Sequence, residues 1–426
     1  MNKKLGEFNI RNLMISYVII YTIMPIVARL TSRFLTAYFY MAVVMVLVVL
    51  LIASNRSVVS DNNGFFVLPF IFYGLLTAFN THEDILMWGY QILLFLLPPI
   101  IGYYFTKDNN RIKPVYSKLI ILCIMITMIT TIIGCIRNPN AARVLATVDS
   151  QDKESFIYDM QNIGGYNFVY YIVLLYPVLI LSYKMRRIKL LPVLILASVV
   201  FLTIVYSEYT TALLLFMISS FLFFTKRNLS AKGIIIISIL AIMCLLFFTD
   251  VIADFLRWLS NMLGSETIGS RLDALAGGRK GLENSEDNRI ELYLKSIKMF
   301  LEYPLTGTTV FGYSITGGHS FILDYIAQFG MVGGIVLFFM YKKVIFSFMM
   351  PYKEKIGFGY IVWVFIQAII LSIVNTGMWL EVLCLFTPIL LHWIYGNEKK
   401  EVKDETALDS QLVPGTSGGE AIRTTE

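Results

Sequence analysis

The residues with the clearest chemical potential lie between positions 303 and 334, where polar side chains enter an apolar run. His319 comes directly before that run, and Ser320, Asp324 and Gln328 follow at intervals of four. Because an α-helix turns once in about 3.6 residues, these three side chains share one face. A carboxylate inside a membrane helix costs about 2.5 to 3.5 kcal/mol on insertion scales, so it is expected to face a polar cavity or a partner. His319 sits at the mouth of this stripe, and an imidazole can accept a proton near neutral pH.

Each of these features also has a purely structural interpretation. A histidine at a helix start is often a satisfied interfacial residue, and Asp324 could be hydrogen-bond glue between two helices. Gly330 and Gly334 form a small-xxx-small pattern, which favours a close helix-packing face over a functional role.

Arginines in the two longest polar segments form a second set of candidates. Arginine presents a planar fork that matches phosphate oxygens. Arg289 has a further advantage, since it opens a predicted helix, whose N-terminal backbone donors favour an anion. The alternative is that these arginines pair with nearby carboxylates such as Glu283, Glu286 or Asp287. The candidates for a phosphate site are Arg137, Arg143, Arg271, Arg279 and Arg289.

The elements that position these residues are membrane helices. The chain is 57% hydrophobic and 15% charged, with a mean hydropathy of +0.69, far from the balance of a soluble domain. Apolar runs of membrane-crossing length recur from end to end. The predicted fold is therefore an all-α, polytopic bundle of about twelve transmembrane helices. The predicted spans are 13–30, 34–53, 64–80, 85–105, 117–136, 166–183, 190–206, 210–224, 233–252, 319–341, 356–374 and 378–395.

The distribution of basic residues predicts the orientation of this bundle. With a cytoplasmic N-terminus, the cytoplasmic segments carry 22 Lys and Arg residues, whereas the short external connections carry only Arg29 and Arg33. Both termini are then cytoplasmic. The net charge of +6 reflects this bias, and no basic patch indicates a nucleic-acid binder. The long connections 137–165 and 253–318 fall outside.

The external segment 253–318 divides the chain into organisational units. Residues 1–252 hold the first nine predicted spans, and 319–395 hold the last three. Within the segment, apolar residues at helical spacing predict amphipathic helices at about 251–263 and at 288–302, the second stopped by Pro304. Residues 396–426 have no apolar period and are expected to form a disordered cytoplasmic tail, and 412–426 are also consistent with an appended sequence.

The stretch from Arg289 to Gly334 resembles the signature of the O-antigen polymerase and ligase superfamily. It contains an arginine that opens a short helix, an aromatic-Pro-Leu-x-Gly turn at 303–307, a His-Ser pair at 319–320, and an apolar helix with Gly-x-x-Gly at 330–333. The Gly-Gly-His-Ser-Phe-x-Leu-Asp version is similar to members that polymerise capsular or exopolysaccharide repeat units.

The resemblance implies a GT-C-like membrane glycosyltransferase that needs no metal or other cofactor. Its donor and acceptor would be polyprenyl-diphosphate-linked glycans at the external face of a bacterial plasma (inner) membrane, and a chain-length regulator is a candidate partner. His319 would orient or deprotonate the acceptor hydroxyl, and Asp324 would fix the histidine or line the acceptor path. The arginines would hold the diphosphate, together with Ser320. No Asp-x-Asp motif or metal-ligand spacing occurs in the external loops.

One departure and two alternatives accompany this interpretation. Many family members carry an arginine in an external hairpin, where this chain reads Ser-Glu-Tyr-Thr-Thr at 207–211. A ligase that moves finished glycan to a lipid core, wall polymer or protein would use much the same site. A lipid-linked oligosaccharide flippase or transporter would have a similar layout of spans, but it predicts two similar halves, and the sequence contains no evident internal repeat.

Overall fold

The chain folds into a helical bundle in which several helices are long and apolar enough to cross a membrane. The structure is a computed structural model. It describes residues 10–35, 37–54, 60–61, 64–65, 67–81, 85–107, 113–139, 141–147, 153–184, 188–224, 233, 236, 254, 257–258, 261, 289–309, 316–353 and 358–395. The predicted span 233–252, the helix at 251–263 and the tail 396–426 lie wholly or almost wholly outside the described residues.

The described helices follow the hydrophobic segments of the sequence. In chain order they are α1 (Ile10–Ile23), α2 (Pro25–Phe34), α3 (Ala37–Ser54), α4 (Leu68–Thr81), α5 (Ile85–Lys107), α6 (Lys113–Arg137), α7 (Ala141–Thr147), α8 (Lys153–Met160), α9 (Tyr166–Lys184), α10 (Leu190–Ser207), α11 (Thr210–Phe224), α12 (Arg289–Glu302), α13 (Phe321–Val344), α14 (Phe358–Val374) and α15 (Thr387–Tyr395). The π-helical segment Ile345–Met349 and the 3₁₀ turn Met350–Tyr352 extend α13. A second π-helical segment, Glu381–Phe386, precedes α15. A two-residue antiparallel pair, β1 (Ser60–Asp61) and β2 (Gly64–Phe65), lies between α3 and α4.

Four apolar stretches within the described residues are of membrane-crossing length. They are Pro114–Arg137, Tyr166–Lys184, Leu190–Ser207 and Phe321–Tyr352, and α1 with α2 would make a fifth. Six further apolar helices are shorter, between 10 and 17 residues. These helices are compatible with a membrane protein, whereas the number of spans stays a prediction.

The predicted first span, 13–30, is wrong as a single helix. α1 ends at Ile23, and α2 leaves it at an angle of 110°. Pro25 stands at the first position of α2, where a proline is tolerated, but it has no N–H to continue the hydrogen-bond ladder of α1. Arg29 and Arg33 then give α2 a polar face that would be costly inside a bilayer.

The loop that follows α6 holds α2 in place. Arg29 forms an ion pair with Asp159 of α8 at 2.7 Å and also donates to Ser155 at 3.3 Å. The Arg33 guanidinium lies 4.9 Å from the centre of the Phe156 ring. The predicted external segment 137–165 therefore contains α7 and α8, and α8 docks on the end of α1 and α2.

A close backbone contact fixes the last part of the chain against α5. A Cβ atom on Gly102 of α5 would lie 1.7 Å from the carbonyl oxygen of Cys384, so only glycine fits there. Pro98 and Pro99 lie just before this point. The π-helical segment Glu381–Phe386 is thereby held in the centre of the bundle, where residues 382–386 are buried.

Several contacts bring the ends of distant helices together on one side of the bundle, which we call the His319 end. The Phe321 N–H donates to the Asn375 carbonyl at 2.8 Å, and the Tyr293 hydroxyl donates to the Val374 carbonyl at 3.1 Å. The Tyr209 hydroxyl, between α10 and α11, donates to the Ala142 carbonyl of α7 at 2.7 Å. The Tyr166 ring, at the start of α9, lies 5.8 Å from the Tyr209 ring and 6.4 Å from the Trp379 ring. The starts of α9, α12 and α13, the end of α14 and the loop helix α7 therefore lie at the same end.

Candidate functional site

Ser320 forms the N-cap of α13. Its side-chain oxygen accepts from the Leu323 N–H at 3.2 Å, and the Asp324 carboxylate accepts from the Ser320 N–H at 3.0 Å. This reciprocal arrangement resembles a capping box, with the returning carboxylate at the fourth residue after the N-cap, and it satisfies donors that a helix start leaves free. Ser320 is fully buried. The Ser320 hydroxyl therefore caps α13. A role of Ser320 in binding substrate stays a prediction.

Asp324 joins three segments of the chain. Its second carboxylate oxygen accepts from the Ser296 hydroxyl of α12 at 2.5 Å, and the Ser296 oxygen accepts from the Gly317 N–H at 2.9 Å. Asp324 is 9% exposed, so both oxygens exchange water for these donors. Between these two residues, both of which the structure describes, no hydrogen bond joins Asp324 to His319. The interpretation of Asp324 as glue between helices thus describes the contacts that are present, and a catalytic role stays a prediction.

His319 is exposed at the start of α13. It follows Gly318, whose φ of +76° is a conformation that favours glycine, and it precedes the buried cap. A Cβ atom on Gly317 would lie 2.1 Å from the Leu292 carbonyl oxygen, so the backbone of this loop runs directly against α12. A rigid backbone on both sides therefore presents the imidazole to the outside of the bundle.

The turn at 304–307 is inserted into a break in α13. At Gly330 the backbone leaves the helical region, with φ +60° and ψ −149°. The Met331 N–H donates to the Pro304 carbonyl at 2.8 Å, and the Thr308 N–H donates to the Ala327 carbonyl at 3.1 Å. Backbone groups freed by the break are thus satisfied by the turn, as buried backbone groups require.

The break makes the packing interpretation of Gly330 and Gly334 wrong. Gly330 is the point at which α13 departs from helical geometry, and a Cβ atom on Gly334 would meet nothing within 4 Å. Ser320 and Asp324 belong to the cap, whereas the backbone carbonyl of Gln328 accepts from the Thr309 hydroxyl at 2.9 Å, beside the break.

The five candidate arginines are only partly located. Arg137 is the exposed last residue of α6, at the His319 end. Arg143 lies in α7 and Arg289 begins α12, but their side chains are outside the described residues, as are Arg271 and Arg279 entirely. The backbone positions bring Arg137, Arg143 and Arg289 to the same end of the bundle as His319.

The turn between α14 and the last π-helical segment is a part of this end that sequence reasoning missed. It runs from Asn375 to Leu380, and Trp379 has a φ of +61°. The Trp379 ring lies 5.4 Å from Tyr170 and 6.4 Å from Tyr166, both at the start of α9. Glu381 follows directly, with intermediate exposure. An acidic residue inside an apolar run was the available signal.

Comparisons with known proteins identified no relative of this chain. No family model, curated protein or solved structure matches the chain. Among the residues that the structure describes, no group of three or more His, Cys, Asp or Glu side chains could hold a metal ion.

Proposed function

We propose that this protein polymerises polyprenyl-diphosphate-linked oligosaccharide repeat units. What supports the proposal is the way the segments that carry the family resemblance fit one another. The turn at 303–307 fills the break at Gly330, and α12 is tied to α13 through Ser296 and Asp324. Together these contacts form one frame whose exposed chemical group is His319.

The proposed setting is a GT-C-like bundle of about twelve spans in a bacterial plasma membrane, with both termini cytoplasmic. The His319 end then faces the external side, where lipid-linked repeat units would be used. The same end contains the backbone of Arg137, Arg143 and Arg289.

In the proposed reaction, a sugar hydroxyl of one lipid-linked unit attacks the anomeric carbon that carries the diphosphate of the growing chain. The bond from that carbon to the diphosphate oxygen breaks, and its electron pair leaves with the diphosphate. His319 accepts the hydroxyl proton. The arginines stabilise the negative charge that develops on the leaving diphosphate. The products are a longer glycan on one carrier and a free polyprenyl diphosphate, so no oxidant or metal is needed for the balance.

A transporter is the rival from another class, and the broken helix α13 is the observation that favours it. In transporters, unwound backbone near the bilayer midplane binds the substrate or ion. Here the Pro304, Leu305 and Ala327 carbonyls are engaged by backbone donors of the turn and of α13 itself. The carbonyl groups at the break are therefore occupied by backbone donors of the chain itself, which favours the enzyme.

The direct test uses protein reconstituted in lipid nanodiscs with a purified lipid-linked repeat unit. We expect wild type to produce a ladder of glycans and His319→Ala to lose at least 100-fold in rate, within the usual range for a general base. His392→Gln, on α15, is the matched control and should keep its rate. Full polymerisation by the His319 variant would refute the assignment of the base.

Cell extracts separate the polymerase from the ligase. Cells that lack the gene should accumulate single repeat units if the protein is a polymerase. Polymer retained on the lipid carrier would instead indicate a ligase, and a lack of units on the external face would indicate the transporter.

A further inference from the structure

A narrow apolar pocket opens between helices away from the His319 end. Its walls come from α9, from the end of the π-helical segment Ile345–Met349, and from α14 and α15. The space between these walls, together with its open mouth, measures about 320 Å³. Apart from the hydroxyls of Tyr360 and Thr387, the lining side chains are apolar.

Three of these elements run from the His319 end to the pocket. α9 begins at the His319 end and reaches the pocket with its last turns, at Leu181. α13 also begins there and reaches the pocket through its π-helical extension, at Met349. α14 ends at the His319 end and contributes Tyr360 from its first turn. The pocket therefore lies towards the opposite end of the bundle, which faces the cytoplasm in the proposed orientation.

The entrance of the pocket lies beside Tyr360. Eight of the nine lining residues are buried, whereas Tyr360 has intermediate exposure. Met349 and Leu391, on facing walls, are only 1% and 4% exposed. A ligand therefore has one side by which to enter, and that side is the start of α14.

Two lysines from different segments flank this entrance. Lys184, the last residue of α9, donates a hydrogen bond to the Tyr360 hydroxyl, and its Nζ lies 5.1 Å from the centre of the Tyr360 ring. The Lys353 Nζ lies 5.5 Å from the centre of the Phe358 ring, two residues before Tyr360. Both lysines are exposed. The entrance therefore combines positive charge with an apolar interior.

The interior favours a hydrocarbon chain over a polar ligand. Away from the entrance, Thr387 supplies the one hydroxyl of the lining, and its Oγ1 atom is buried and forms no hydrogen bond within the described part of the chain. A sugar or a nucleotide in this space would need several donors and acceptors from the walls. A narrow apolar space with lysines at its mouth matches an acyl chain attached to an anionic headgroup.

Both π-helical segments that the structure describes end at this pocket. Met349 is the last residue of Ile345–Met349, and Thr387 directly follows Glu381–Phe386. A π-helical turn departs from regular α-helical geometry, and such turns are frequent at functional sites. The pocket therefore lies where two helices change their geometry.

We propose that this pocket binds an anionic phospholipid from the leaflet opposite the His319 end. One acyl chain fills the space between α9, α14 and α15, and Lys184 and Lys353 bind the phosphate of the headgroup. The bound lipid joins four elements of the bundle and stabilises the folded chain, as any ligand of the folded state does. The proposal is independent of the reaction at His319.

Native mass spectrometry of the full chain measures how tightly each lipid is retained. The probes are dioleoyl phosphatidylglycerol and dioleoyl phosphatidylcholine, which have the same acyl chains and differ in net charge. We expect wild type to prefer phosphatidylglycerol by about fivefold for each lysine that contacts the phosphate, which corresponds to about 1 kcal/mol per basic residue. Phosphatidylglycerol should also raise the temperature of thermal unfolding more than phosphatidylcholine does.

Four variants separate the headgroup contact from the apolar contact. Lys184→Gln should weaken binding of phosphatidylglycerol about fivefold and leave phosphatidylcholine unchanged. Val364→Trp fills the apolar space and should weaken binding of both lipids at least tenfold. Thr387→Val makes the interior fully apolar and should bind at least as tightly as wild type. Lys298→Gln removes an exposed lysine of α12 and is the matched control, which should behave as wild type does.

A photoactivatable phosphatidylglycerol with a diazirine in one acyl chain locates the bound lipid. Crosslinked peptides should contain Val178, Met349 or Leu391. Crosslinks confined to the exposed faces of α6 and α10 would show ordinary bilayer contact and overturn the pocket.

Equal retention of the two lipids by wild type also overturns the proposal, as does an unchanged preference in Lys184→Gln. A tenfold loss in Thr387→Val would contradict an acyl chain at this position. If Val364→Trp does not fold, the Lys184 variant and the crosslinks decide. None of these results depends on whether the protein polymerises glycans, so the two proposals fail separately.

Discussion

Gly307 and Gly330 touch through their backbones. A Cβ atom added to Gly330 would lie 2.7 Å from the Gly307 nitrogen, and one added to Gly307 would lie 2.1 Å from the Gln328 carbonyl oxygen. Both glycines have positive φ, +70° and +60° respectively. The turn after α12 and the break in α13 therefore depend on each other, because each backbone occupies the space beside the other's glycine.

Replacing either glycine by alanine should separate this pair. We expect Gly330→Ala and Gly307→Ala each to lower the free energy of unfolding by about 1 to 3 kcal/mol or more, because backbone strain and contact with backbone atoms add together. Thermal unfolding in detergent is the measurement. Gly334→Ala is the control: it meets open space and should be neutral or stabilise the helix by up to about 1 kcal/mol. Equal effects at all three glycines would contradict the pairing.

Removing the donor that Ser296 gives to Asp324 should leave a buried carboxylate oxygen without its partner. We expect Ser296→Ala to destabilise the protein by about 1 to 3 kcal/mol and to lower activity through misplacement of His319. The pH profile of the remaining activity should match that of wild type, since Asp324 is not bonded to His319. A shifted profile in Asp324→Asn would show that this carboxylate acts on the histidine directly.

The ion pair between Arg29 and Asp159 should give a measurable pH dependence. Burial raises the pKa of the Asp159 carboxyl above its ordinary value, and Arg29 offsets this only in part. The folded chain therefore binds the proton more readily than the unfolded chain. Stability contributed by this group is present at low pH and is lost as pH rises from the ordinary pKa through the raised one.

Arg29→Met should increase this dependence. The variant leaves a partly buried carboxylate unpaired, and we expect a loss of about 1 to 2 kcal/mol at neutral pH, discounted for partial exposure. The loss should shrink once the pH falls below the raised pKa, because a protonated Asp159 carries no charge. Asp159→Asn added to Arg29→Met should recover stability at neutral pH. Thermal unfolding across this pH range is the measurement, and a loss that grows in acid would contradict the interpretation.

The proposed orientation predicts opposite labelling at the two ends of the bundle. Thr376 is exposed in the turn at the His319 end, and Lys353 is exposed after α13. A membrane-impermeant maleimide should label Thr376→Cys on intact cells but label Lys353→Cys only after permeabilisation. Cys123, Cys135 and Cys384 are buried, and Cys244 is replaced by serine as a precaution. The reverse pattern would invert the topology.

The amino-acid sequence by itself determined the elements that depend on near neighbours. Hydropathy located most of the described helices, and α12 runs from Arg289 to Glu302, as the apolar period and Pro304 predicted. The four-residue spacing of Ser320 and Asp324 was likewise sufficient to place them on one face. These features follow from interactions within a few residues of each position.

Tertiary structure alone decided what those residues do. Gly330 suits a packing face and a helix break equally well, and the backbone of 304–308 selects the break by satisfying the groups it frees. Asp324 receives its second donor from Ser296, 28 residues away. Buried polar groups must be satisfied by whatever the fold brings near, and local sequence carries little information about that choice.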